Sequence, residues 1–157
     1  MLISTRHERW QAAAPFLVTG GAAVIGGGLL AAAIARAPAQ SLVWTVAYLV
    51  LVVGVAQALF GGGQAWLARD LPHASTVTWQ WLAFNLGNLG VIVGTIGRSQ
   101  TLVAVGTVLF VIGVALFLLR TRHAEHGGWL LGYRAVLSLL FISSLVGLAL
   151  SFHGQRV

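Results

Sequence analysis

The stretch Thr101–Leu119, TLVAVGTVLFVIGVALFLL, runs without a charge, an amide or a proline. A helix needs about 20 mostly apolar residues to cross the hydrocarbon core of a bilayer, so this stretch reads as a transmembrane span. Four more runs of the same kind surround it, at about Ala14–Ala35, Ser41–Leu67, Thr76–Gly97 and Trp129–Ser151. A transmembrane barrel would show alternating segments of about ten residues instead of continuous apolar runs. The expected fold is therefore all-α, a five-transmembrane-helix bundle forming one domain over residues 1–157.

Composition agrees with that reading. Apolar residues make up 58% of the chain and charged residues 8%, against about 25% charged in soluble domains. So few charges cannot cover a water-exposed surface. Cysteine is absent, which removes disulfides, thiol redox chemistry and cysteine-ligated metals.

The basic residues are nine arginines and no lysine, and the acids are Glu8, Asp70 and Glu125. A net charge of +6 in a soluble protein would point to nucleic acid. Here the arginines stand singly or in pairs at the edges of apolar runs. They read as topology determinants facing lipid head groups, and no nucleic-acid partner is expected. A cytoplasmic N-terminus puts Arg6, Arg9, Arg69, Arg120, Arg122 and Arg134 inside, and only Arg36, Arg98 and Arg156 outside. This positive-inside bias predicts an N-in, C-out multi-pass protein of the cell (inner) membrane. Trp10, Trp44, Trp66, Trp79, Trp81 and Trp129 all fall near predicted helix ends, where the ring suits the interface.

Three local features refine the expectation. Ala37-Pro38-Ala39 resembles a signal-peptide cleavage site, but the apolar run before it exceeds the 7–15 residues typical of a signal peptide's core. That run is read as a span. Gly61-Gly62-Gly63 predicts a kink or break in the second helix, with Gln64–Leu67 turning along the cytoplasmic interface. Residues 1–13 are expected to form a short interfacial helix of their own.

The residues inside the spans narrow the chemistry. His7, His73, His123, His126 and His153 all lie in loops or at helix ends, so no facing pair can hold a haem within the membrane. Without lysine there is no retinal Schiff base. No predicted span contains Asp or Glu, which disfavours carboxylate-driven coupling and magnesium-dependent phosphate chemistry. Ser143-Ser144 sit in the fifth span with no base at their depth and read as hydroxyls bonded to the backbone. No catalytic residue is assigned.

Three candidate sites remain. Trp81, Asn85, Asn88, Ile92 and Thr95 share one face of the third span, beside a stripe of Gly87, Gly90, Gly94 and Gly97. Gln57 and Gln64 share a face of the second. An amide cluster of Gln57, Asn85 and Asn88, with Trp81, therefore serves either helix packing or a neutral ligand. Arg134, with Tyr133, reads as an anchor for a lipid head group. His123, Glu125 and His126 carry metal-ligand chemistry in a loop, with a solvated loop as the simpler reading. In the first span, Ala22 with Gly26 and Ala23 with Gly27 form small-xxx-small pairs suited to tight packing.

Phe84-Asn85-Leu86-Gly87-Asn88-Leu89-Gly90 and the glycine-rich first span resemble small polytopic membrane proteins of unknown function common in actinobacteria. The resemblance implies a membrane fold and supplies no activity. The expected function is a non-catalytic integral membrane subunit, scaffold or assembly partner of a cell-membrane complex. It would work with a protein partner or as a homo-oligomer. The alternatives are a small transporter or channel for a neutral or lipophilic ligand, and a metal-responsive protein using the His123–His126 loop. No cofactor is expected, so the purified protein should show no Soret or retinal band in its visible spectrum; a haem band ligated by this chain would contradict the reading.

Overall fold

Apolar residues that cannot alternate in register with water have to form helices, and helices are what the chain forms. A computed structural model describes residues 6–121 and 128–153, with side chains of the last helix taken to residue 146. The elements are α1 (Arg6–Ile34), α2 (Gln40–Tyr48), a π-helical segment (Leu49–Ala56), α3 (Gln57–Leu67), α4 (Ala74–Ile96), α5 (Gln100–Arg120) and α6 (Gly128–His153). Four helices are long and apolar enough to cross a membrane: Arg6–Ile34, Gln40–Leu67, Gln100–Arg120 and the described part of the last, Gly128–Val146. At 23 residues α4 has the length, but Gln80, Asn85 and Asn88 make it more polar than these four.

Two expectations from the sequence do not hold. Residues 6–13 continue directly into α1 and form no separate helix. The triple glycine does not break the second helix either, because α3 runs unbroken through it to Leu67. The reason lies across the interface: a Cβ on Gly61 would sit 2.3 Å from Phe16 Cβ. Glycine is there so that the fully buried Phe16 can approach.

The chain resolves into two compact units, Met1–Pro72 and His73–Val157. In the first, α1 lies antiparallel along α2, the π-segment and α3. Gly27 faces Val46, Leu49 and Val50, Gly20 faces Gly54 and Ala58, and Phe16 faces Gly61. The second helix thus presents residues 46, 49, 50, 54, 58 and 61, with 46, 50, 54 and 58 falling at every fourth position. Four residues turn an α-helix through about 400°, so a strict fourth-residue seam drifts off line by about 40° each repeat. The π-segment's wider turns absorb that drift and keep the seam facing α1. Close packing here dictates the backbone geometry.

In the second unit α4 and α5 form a tight antiparallel pair, and α6 packs on α5. Gly94 meets Val103, Gly90 meets Gly106, Gly87 meets Phe110 and Gly113 meets Phe84. A Cβ on Gly106 would lie 2.5 Å from the backbone nitrogen of Val91. Phe84 and Phe110 pack with ring centroids 5.0 Å apart. The face of α4 that this buries includes Val77, Gln80, Phe84, Gly87, Val91 and Gly94, spaced alternately three and four apart.

The turn between α4 and α5 is three residues long. The amide of Ser99 donates to Gly94 O at 2.8 Å and that of Arg98 to Thr95 O at 3.4 Å, which is a Schellman closure. Its left-handed position belongs to Arg98, with φ 53°, where glycine is usual. Ser99 then caps α5, accepting from the Leu102 amide at 3.4 Å. Replacing Arg98 with glycine should relieve the left-handed strain and raise stability in detergent by about 1 kcal/mol; an unchanged or lower melting temperature would contradict the strain.

Candidate functional site

Hydroxyls and amides inside an apolar helix have one partner always in reach, the carbonyl four residues earlier. The chain uses it repeatedly. Thr19 donates to Pro15 O at 2.6 Å, Thr45 to Ser41 O at 2.8 Å and Thr107 to Val103 O at 2.8 Å. Asn85 Nδ2 donates to Trp81 O at 2.8 Å and Asn88 Nδ2 to Phe84 O at 2.8 Å. Both serines of α6 donate to Leu140 O, Ser144 four residues on at 2.7 Å and Ser143 three residues on at 3.1 Å.

The amides predicted from the sequence are divided between the units. Gln57 belongs to the first, is 1% exposed, and donates through Nε2 to Thr19 Oγ1 on α1. Asn85, Asn88 and Trp81 belong to the second, with Asn88 1% exposed and Asn85 half-buried. Each of the three amide nitrogens thus donates within its own unit. Gln64 and Gln80 are also buried. Gln80 is eight residues before Asn88 and was not singled out by spacing, because it lies on the α5-facing side among apolar residues.

Two arginines do a job that sequence alone does not show. Arg9 Nη1, on α1, donates to Ala65 O at 2.8 Å and Trp66 O at 3.1 Å, at the C-terminal end of α3. Arg134, on α6, donates through Nη2 to Thr121 O at 2.8 Å and through Nε to Thr121 Oγ1 at 3.1 Å, at the end of α5. Thr121 in turn donates to Leu118 O at 2.7 Å. The last carbonyls of a helix lack intrahelical donors and carry the negative end of its dipole. A guanidinium from the neighbouring helix satisfies both requirements together. Arg134 thus fastens α6 to α5 with two of its five N–H donors, and Tyr133 beside it is half-buried. The remaining donors leave room for the head-group contact expected of it.

His123, Glu125 and His126 lie outside the described residues. Among the described residues no three His, Asp or Glu side chains gather as a metal site would need. Trp10, Trp66, Trp79 and Trp129 present their rings outward, from 59% to 87% exposed, as interfacial residues do.

No family model, no curated protein and no solved structure matches this chain. Its chemistry therefore rests on the residues themselves. Substituting Arg9 or Arg134 with glutamine, which stays polar but loses the charge, the fork and the reach, should lower unfolding stability by about 1 to 2 kcal/mol each. Chemical denaturation in detergent measures it, and the Arg36→Gln control, with its arginine exposed in a loop, should change little. Equal effects at all three positions would contradict the clamp.

Proposed function

We propose that this chain is a non-catalytic integral membrane subunit or assembly partner of a cell-membrane complex, with five spans, the N-terminus inside and the C-terminus outside. One observation carries the reading: the polar groups described on the helices either link neighbouring helices or close onto their own backbone. Arg9 and Arg134 hold helix ends, Thr19 holds Gln57, and the asparagines and serines bond to their own backbone. In a machine built for chemistry or ion coupling, such groups are aimed at a shared point instead.

The orientation rests on the arginine bias, with which the positions of the two clamps agree. Arg9 and Arg134 act near the ends of the second and fifth spans that the arginine bias places inside, where cations are favoured. α4 supplies the remaining span: 23 residues rise about 35 Å, enough for the hydrocarbon core. Its amides are tolerable in lipid because they bond to the helix's own carbonyls.

Purification in mild detergent, followed by identification of what travels with the chain, tests the reading. A protein partner at fixed stoichiometry, or a defined homo-oligomer, is the expected result. A monomer that carries a neutral small molecule in constant ratio would favour a transporter instead. Reporter fusions after Val157 test the orientation: an external reporter should be active and a cytoplasmic one silent, and the reverse would remove one span.

A further inference from the structure

Arg9 is bound on one side only. Its Nη1 group serves both carbonyls at the end of α3, Ala65 O at 2.8 Å and Trp66 O at 3.1 Å. Among the described residues, its Nε–H and Nη2 groups donate to nothing and no carboxylate pairs with it. Those two nitrogens form one edge of the planar fork, whose parallel N–H bonds match two oxygens of a phosphate. The bond to Trp66 O lies at the surface and Arg9 is half-buried, so the guanidinium is open to its surroundings.

The clamp also prepares that edge. A free arginine gives up rotamer freedom when it binds an anion, and here the two carbonyls have already restricted it. Positive charge survives the clamp, because a helix end carries only about half a negative charge. Arg6, one turn earlier on α1, and Arg69, two residues past α3, add to it. Glu8 and Asp70 subtract, yet three arginines against two carboxylates leave this end of the unit positive.

Depth identifies the anion. Trp10, beside Arg9 in sequence, is 59% exposed, and Trp66, one of its acceptors, is 83% exposed. Indole rings favour the level of the lipid head groups. The anion held at that level by every phospholipid is its phosphate.

We propose that the Nε/Nη2 edge of Arg9 is a binding site for the phosphate of a phospholipid head group. The site lies wholly within the first unit. It rests on the chain spanning a membrane and needs no protein partner. Lipid phosphate would hold the same guanidinium that fastens α1 to α3, so lipid binding and helix docking reinforce each other.

The arginine Nε–H signals report the site. Protein labelled with ¹⁵N-arginine is delipidated into maltoside micelles, which contain no phosphate, and its nine arginines give a short spectrum. Through-bond correlation to the backbone assigns Arg9 without a variant. Phosphatidylglycerol should move the Arg9 Nε–H signal downfield and slow its exchange with water, while Arg6 and Arg69 move little. No movement at Arg9 overturns the proposal, and so does equal movement of all three, which is diffuse attraction. If sodium phosphate at the same concentration moves the signal as far, the ligand is a free anion and the lipid assignment fails. Thermal unfolding gives a second readout. Phosphatidylglycerol should raise the Tm of the unaltered chain more than that of Arg9→Lys, which keeps a cation for the helix end but has no second edge. An equal rise contradicts the site. A chain that stays in solution without detergent refutes the membrane reading itself, and the lipid site with it.

Discussion

Lipid tails are as apolar as leucine, so helices in a bilayer gain little by burying apolar side chains against each other. What remains is contact: dispersion between closely approaching backbones, and satisfaction of every polar group within reach. The glycine positions follow from that constraint. Gly20 with Gly54 in the first unit, and Gly90 with Gly106 in the second, bring backbone against backbone at places where a single methyl group would intrude. The constraint reaches further in the first unit, where it shapes the helix itself. A seam at every fourth residue cannot lie straight on an α-helix, and the stretch Leu49–Ala56 takes π-turns to keep it in line.

Polar groups follow the second half of the constraint. Hydroxyls and amides close onto carbonyls of their own helix, and the two helix ends that need donors receive guanidinium groups from a neighbour. Each arginine links an electrostatic requirement to a packing one, because it reaches the end of an adjacent helix only when the pair is correctly docked. Gln57 departs from this economy. It satisfies its nitrogen on Thr19 and leaves its oxygen unpaired, which singles it out from the other buried amides.

How far the sequence could be read depended on whether a feature was local. Apolar runs placed α2 to α6 within a few residues, since hydropathy and length are local quantities. Residues 6–13 read as a helix of their own because Arg6–Gln11 is mostly polar, whereas they continue into α1 and pack on α3. Nothing in LVLVVGVA announces π-turns; their cause sits on α1 at Gly20 and Gly27. The triple glycine argued for a break by propensity, and Phe16, 45 residues earlier, decided otherwise. Gln57 was legible as a polar residue in a span, whereas Thr19 was one threonine among many. Arg9 read as an interfacial charge because its partners lie 56 and 57 residues away.

Close backbone approach at particular glycines is the central claim, and an alanine scan of glycines in lipid bilayers tests it most directly. Gly106→Ala, whose new carbon would meet backbone atoms of α4, should lose about 1 to 3 kcal/mol of stability. Gly21→Ala and Gly132→Ala, whose new carbons meet nothing within 4 Å, should hold their stability or gain up to about 1 kcal/mol from helix propensity. If Gly106→Ala behaves like the other two, the helices of the second unit are not held by that seam.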